Sequence, residues 1–396
     1  MSECRCRSSA FIAAIFALAL TLTNAVEEVF MPNQLDALPS ILIIGTAKGG
    51  TTDLYKQLTF PKVNQAPGRA EPRLPANAEK EPSILNRGGI EGKLMPFQPL
   101  YIEYLHLLGH PCGNATEDDI QDCMATLGTQ QLTLDASPDY SFSLNAPLYL
   151  KQLSPLSKIV MMIREPVERV ETLFRHYKLT LVDKETTLYL DFVQGWWSDR
   201  SLDTLAGNFL EAVRTDNKAR AALQHAVNCP PADVVCQADG WKRMVSLYFM
   251  RSMDNKIFMG GLYRYMMAVW RRVYFQPGRV MLIDSQAYYQ RRPEVMEKVI
   301  KYLYGRPMLP EEREEAASEV VWRKKGKLPY AAGLKLSLAA RQQLEEFYDV
   351  HVMQGLFRML TDMRAEGAWV AGFDREPWEK CPGFAEFHGL SPYQQQ

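Results

Sequence analysis

The chain is almost without net charge: 45 lysines and arginines stand against 46 aspartates and glutamates, a balance of −1. No global field therefore recruits nucleic acid or an anionic membrane, and an anionic partner must be held by a local basic patch. Internal repeats and long low-complexity linkers are missing. Cysteine is sparse, and no C-x-x-C pair or Cys/His cluster has zinc spacing, so a structural metal is not expected. A long apolar run is missing from the N-terminus as well. "AFIAAIFALALTL", residues 10–22, is too short for a comfortable membrane-spanning helix.

That run follows Arg5 and Arg7 and has the length of a signal-peptide core, with Thr23 and Ala25 offering a small-residue cleavage site. The rival reading is a short signal anchor in a thin secretory membrane. Both place the rest of the chain in the oxidising lumen of the secretory pathway. Cys4 and Cys6 lie in the targeting segment. Of the others, the close pairs Cys112/Cys123 and Cys229/Cys236 suggest two local disulfides, with Cys381 left over. Buried reduced thiols are the alternative. Asn114-Ala115-Thr116 is a glycosylation sequon between the first two of these cysteines.

With 47% hydrophobic and 23% charged residues, the 396-residue chain is globular, with length for one large core or two small ones. Its parts read as a leader over 1–25, a polar lead-in over 26–38, one domain over 39–365 and a tail over 366–396. Proline excludes regular structure over 61–87. Buried strands are expected at 41–44, at Leu132 to Leu134, at the start of "SKIVMMIREPVERVETLFRHYK" (157–178), and in "RVMLIDSQAYY" (279–289). Helical patterns separate them, with Pro166 suited to a first helical turn. "LSLAARQQLEEFYDVHVMQGLFRML" closes the fold with a strongly amphipathic helical pattern. Strands alternating with helices imply an α/β fold, a P-loop-like three-layer sandwich with a central parallel sheet. Ligands of such sheets sit beyond the carboxyl ends of the strands, here the loops at 45–52, 135–138 and 164–166.

The first of these loops carries the chemistry. "ILIIGTAKGGTTDLYKQL", residues 41–58, is a strand, a Gly/Thr-rich turn and a helix. Aligned to the triphosphate-binding G-x-x-x-x-G-K-[ST], Gly45 and Gly50 match, but Thr51 occupies the lysine position and Lys48 comes three places early. The backbone N–H groups of Lys48 to Thr52 at a helix start form an anion nest. Gly49 and Gly50 permit close approach, and Thr51 and Thr52 add hydroxyls. A lysine inside the nest reaches past the bound phosphate to the group attached to it, which suits a 5′-phosphate carrying a transferable group. Carboxylates arranged to hold magnesium are not found.

"GTAKGGTTDLY" resembles the 5′-phosphosulfate loop of Golgi carbohydrate sulfotransferases, which use 3′-phosphoadenosine 5′-phosphosulfate (PAPS). The likeness is closest to the N-acetylgalactosamine 4-sulfate 6-O-sulfotransferase branch. "REPVERVETLF" resembles the family's R-[DE]-P-x-x-R-x-x-S motif, which implies that Arg164 and Thr172 grip the 3′-phosphate, with threonine replacing serine. "KEPSIL" resembles K-E-x-H-[FW], which implies that Glu81 takes the proton from the acceptor hydroxyl. Ser83 stands where relatives often have histidine. "RKKGKLP" resembles the K-G-R-x-H-P type loop, with Lys325, Gly326 and Lys327 on the 3′-phosphate side; lysine keeps the usual arginine's charge but not its fork. Residues 260–289 follow a further family pattern, placing Tyr263 at the adenosine or acceptor side or in the core. Cys229 and Cys236 match a short disulfide loop of the same branch.

The resemblance covers residues 40–362 and implies a fold of the PAPS-sulfotransferase type. It implies in-line sulfuryl transfer to a carbohydrate hydroxyl, with Glu81 as base, Lys48 balancing charge on the bridging oxygen, and no metal required. A sulfated or uronic-acid polysaccharide is the expected partner, met by Lys80 and Arg87 and further by Arg291 and Arg292, with no nucleic acid involved. A Golgi lumenal place, soluble or anchored through the N-terminal segment, goes with it. A lumenal P-loop kinase or NTPase and a non-catalytic glycan-binding relative are the competing readings.

Overall fold

The computed structural model describes residues 40–59, 104–108, 111–114, 116, 119, 122–123, 133–182, 200–230, 232–246, 257–318, 334–375 and 378–389. The expected leader and lead-in, the proline-rich stretch, and the KEPSIL and RKKGKLP segments lie outside these residues.

Five strands form one parallel sheet: β1 (Ile41–Gly45), β2 (Leu134–Asp135), β3 (Lys158–Ile163), β4 (Val280–Asp284) and β5 (Trp369–Ala371). Their order is β2-β1-β3-β4-β5. The register sets Ile41 beside Leu134 and Lys158, Ile159 beside Val280, and Ile283 beside Ala371. The helices, in chain order, are α1 (Thr51–Thr59), α2 (Ala146–Leu153), α3 (Pro166–Val182), α4 (Leu202–Thr215), α5 (Asn217–Asn228), α6 (Val234–Ser246) and α7 (Tyr263–Val273). They continue as α8 (Ser285–Gln290), α9 (Arg292–Tyr304), α10 (Pro310–Ala317), α11 (Leu338–Tyr348), α12 (Gln354–Ala365) and α13 (Phe384–His388).

Side chains on a strand alternate between its faces, so an unbroken apolar run demands cover on both. The sheet meets that demand. Leu42, Ile44, Ile159, Met161, Ile163 and Leu282 enter one core, with Leu150 of α2, Phe174 of α3, Phe209 of α4, Trp241 of α6, Met266 of α7 and Phe357 of α12. Ile41, Ile43, Val160, Met162, Met281 and Ile283 enter the other, with Leu54 and Leu58 of α1, Tyr288 of α8 and Val299 and Ile300 of α9. The result is the three-layer α/β/α sandwich that the strand and helix pattern implied.

Pro166 opens α3 as expected, because the first helical N–H needs no acceptor. The Glu165 carboxylate caps that helix, accepting from the N–H groups of Val167 at 2.9 Å and Glu168 at 2.6 Å.

The structure corrects several boundaries. β2 runs over Leu134–Asp135, shifted toward the turn expected from Asp135 onward. The strand expected through Tyr289 stops at Asp284, whose carboxylate accepts from Gln286 and Ala287 N–H and starts α8 at once. The amphipathic helical pattern near the end is formed as α11 and α12, joined by a π-turn at Asp349–Met353 that contains His351. The domain does not end at 365. Trp369–Ala371 supplies β5, the sheet edge beside β4, and Trp378 beyond it is fully buried in the first core.

Candidate functional site

In the order β2-β1-β3-β4-β5 the chain leaves β1 toward one edge and returns to continue toward the other, so the topological switch lies between β1 and β3. A crevice opens beyond the carboxyl ends of strands at such a point. Two loops meet there, Thr46–Gly50 after β1 and Arg164–Glu165 after β3.

The first loop is tied down at its root. Thr46 donates to the Met162 carbonyl through N–H at 2.8 Å and through Oγ1 at 3.1 Å, and Gly49 N–H donates to Thr46 O at 2.8 Å. A Cβ on Gly49 would lie 2.8 Å from Met162 O and 3.0 Å from Thr46 O, so this approach needs glycine. Gly50 has φ +108°, and its carbonyl accepts from Asp53 and Leu54 N–H, both at 3.0 Å, to start α1. Among the described residues no backbone carbonyl accepts from the N–H groups of Lys48, Gly50, Thr51 or Thr52. These are the expected anion donors at a helix start, where the first N–H groups lack intrahelical partners. Thr51 is buried and Thr52 exposed, so the two hydroxyls are not equivalent.

Lys48 lies at φ +66° in the left-handed region, which costs a side-chain-bearing residue roughly 1–2 kcal/mol. Burial pulls its ammonium pKa down from the usual 10.5 to about 8. A desolvated cation of this kind is stabilised by an anionic ligand.

Arg164 sits at the end of β3. Its Nη1 donates to the Lys48 carbonyl at 3.4 Å, and its Nε and Nη2 face Glu168 Oε2, each at 3.4 Å. That i,i+4 pair is partly exposed and of a kind worth ~0.3–0.5 kcal/mol, so a phosphate can displace it. Tyr263, fully buried on α7, donates to the Arg164 carbonyl at 2.6 Å. Of the places open to Tyr263, the adenosine side, the acceptor side or the core, it therefore takes the core, holding the turn from beneath. Thr172 is half-buried on α3. It follows Glu168 by four residues on α3, which puts those two on one side of the helix. No bond joins Arg164 to Thr172.

A third wall comes from α8, which sequence reasoning missed by reading it as strand. The Ser285 hydroxyl donates to Gly49 O, and Tyr288 Oη donates to Asp53 Oδ2 at 2.8 Å. Arg292 pairs with the same Asp53 carboxylate at 3.5 Å. The signal for α8 was Asp284, an N-cap residue immediately before it. Tyr289, on this helix, stands over Gly50.

Two basic residues expected to meet an acceptor have internal partners. Arg291 pairs with Asp374 and Glu294, and Arg292 with Asp53. Glu81, Lys80, Arg87, Lys325, Gly326 and Lys327 lie outside the described residues. Both expected disulfides, Cys112–Cys123 and Cys229–Cys236, are formed, and Cys381 is a buried free thiol. Asn114 is exposed, as a glycosylated asparagine must be. Among the described residues one group, His225 with Cys229 and Cys236, is close enough to share an ion, and its two sulfurs are bonded to each other. No helix of the described residues is long and apolar enough to cross a membrane.

No protein-family model matches the chain, and no curated protein matches it. Among solved structures, the crystal structure of a sulfotransferase from Alicyclobacillus acidocaldarius aligns at 18% identity and a TM-score of 0.37, over 70% of this chain and 89% of that one. A likeness so distant says nothing about activity. What stands for this chain is its own α/β/α sandwich, with a desolvated lysine and an arginine at the switch point of a parallel sheet.

Proposed function

We propose that the chain transfers a sulfuryl group from PAPS to a hydroxyl of a carbohydrate, an anionic or already sulfated polysaccharide. One observation carries the reading: Lys48 and Arg164, on different loops, meet at the switch point beside the open N–H groups of α1. A nucleotide with anionic groups at both its 5′ and 3′ positions suits two cations supplied by different loops beside a helix start.

In this reading the 5′-phosphosulfate lies in the nest of Lys48, Gly49, Gly50, Thr51 and Thr52. The 3′-phosphate lies on Arg164 and Thr172, with Lys325, Gly326 and Lys327 closing over it. Glu81 takes the proton from the acceptor hydroxyl as that oxygen attacks sulfur, and the bond from sulfur to the bridging oxygen breaks. Lys48 balances the charge that develops on that oxygen. The contribution is preorganised charge, with no covalent enzyme intermediate and no metal in the scheme. Lys80 and Arg87 meet the acceptor. The two disulfides and the exposed Asn114 support an oxidising, lumenal setting, which we assign to the Golgi, with an N-glycan on Asn114.

The test is transfer of labelled sulfate from PAPS to a panel of polysaccharides. Lys48→Ala lowers turnover by on the order of a hundredfold or more, as loss of one preorganised donor does elsewhere. Glu81→Gln lowers turnover and leaves nucleotide affinity nearly intact. Near wild-type activity of Lys48→Ala, or tight ATP binding with none of adenosine 3′,5′-bisphosphate, would refute the reading.

A further inference from the structure

The side of the nest that faces β4 is closed by a tyrosine. A Cβ placed on Gly50 would lie 3.0 Å from the Tyr289 hydroxyl oxygen and 3.3 Å from ring atom Cε2, so the phenol rests on the backbone that starts α1. Tyr289 is 48% exposed, unusually open for so large a residue packed on a loop, and packs edge to face on Tyr288 with ring centroids 5.4 Å apart. The helix that carries it cannot drift from the loop. Ser285 is bonded to Gly49, and Tyr288 and Arg292 both hold Asp53, one turn into α1. The phenol stands within the fields of Asp53, Arg164 and Arg292. Its hydroxyl makes no hydrogen bond to a described residue.

We infer that Tyr289 is a donor-binding residue, whose O–H donates to a non-bridging oxygen of the nucleotide 5′-phosphate held above Gly50. The assignment rests on the PAPS reading. It explains why a half-exposed aromatic is anchored at the mouth of an anion nest when an aliphatic residue would pack on Gly50 equally well. The bond is present with the desulfated product and with the donor alike, so it acts on ground state and transition state equally and changes KM rather than kcat.

The experiment titrates adenosine 3′,5′-bisphosphate into the full-length wild-type protein and into Tyr289→Phe, which keeps the ring and its packing and removes only the hydroxyl. Affinity falls about tenfold in Tyr289→Phe, the loss typical of a hydrogen bond to a charged group. KM for PAPS rises in parallel, kcat stays within about twofold, and the melting temperature without nucleotide is unchanged. Bisphosphate binding by Tyr289→Phe within twofold of wild type overturns the assignment and leaves the PAPS reading standing. Wild-type protein that binds neither bisphosphate nor PAPS overturns the PAPS reading, and the assignment falls with it.

Discussion

Arg164 reaches across the switch point to the backbone of Lys48, with Nη1 3.4 Å from the carbonyl oxygen. The two cations proposed for opposite ends of one nucleotide are thus joined through the protein before any ligand arrives. The carbonyl of Arg164 is itself held by the Tyr263 hydroxyl at 2.6 Å, and Thr46 is bonded to the β3 carbonyl of Met162. The backbone of both loops is thus fixed from below, so the anion donors are held in place before a ligand binds.

Arg164 should distinguish nucleotides by their 3′-phosphate. Arg164→Lys keeps the charge but loses the fork, and is expected to weaken adenosine 3′,5′-bisphosphate about tenfold while leaving AMP affinity within twofold. Calorimetric titration of both nucleotides measures this. An equal loss for AMP would assign Arg164 to supporting the loop.

Lys48 makes binding depend on pH. With its folded pKa near 8, the ammonium is lost from the empty protein as pH rises past that value. Bisphosphate affinity should be flat below about pH 7 and then fall toward tenfold per pH unit. Lys48→Arg, charged throughout, should abolish the fall. Stability of the empty protein moves the opposite way. Between about 8 and 10.5 the unfolded chain holds a proton that the folded chain has released, so this residue adds stability as pH rises through that window.

Removing residues 366–396 should unfold the domain. The cut takes away β5, whose register with β4 pairs Met281 with Trp369 and Ile283 with Ala371, and the fully buried Trp378. Loss of a buried Trp side chain alone costs about 3–5 kcal/mol, a large part of an ordinary domain's stability. Circular dichroism and the melting transition of the truncated chain report the outcome.

Gly260→Ala should destabilise by about 1–3 kcal/mol in urea denaturation, as overpacking does. Its Cβ would meet the guanidinium of the fully buried Arg169, 2.7 Å from Cζ. That side chain donates to Ile257 O, while its Nε and Nη1 have no partner among the described residues.

The Cys229–Cys236 bond joins the end of α5 to the first turn of α6 and closes a short loop, with a sequence separation of 7. Replacing both cysteines by alanine should cost about 2–3 kcal/mol, the chain-entropy value for so short a loop. Cys229 O also accepts from Arg264 at 3.4 Å, which ties the loop to α7. Thermal melts with and without reductant measure the loss.

What could be read from the residues was the part specified locally. The runs at 41–44 and 159–163 have no polar interruption, so they can only be strands covered on both faces, and the loops after them carry Lys48 and Arg164. β5 escaped because three residues, Trp369 to Ala371, give no periodicity to count. The turn at Asp349–Met353 escaped because the apolar spacing runs through it unbroken, and only the backbone bonding changes. Tyr263 and Tyr289 could not be assigned, since both act through residues about a hundred or more positions away, Arg164 and Gly50. Asp284 was legible as a cap and shows where the strand had to stop.

Lys48 occupies a backbone geometry that glycine would adopt at no steric cost, and it does so with its charged end withdrawn from water. Both penalties fall on the apo-protein, and a glycine there would escape both. Lys48→Gly should therefore yield a protein at least as hard to melt and, on the proposed function, unable to transfer sulfate. Screens that select for thermal robustness would drift toward such inert descendants, because at this position durability and usefulness pull in opposite directions.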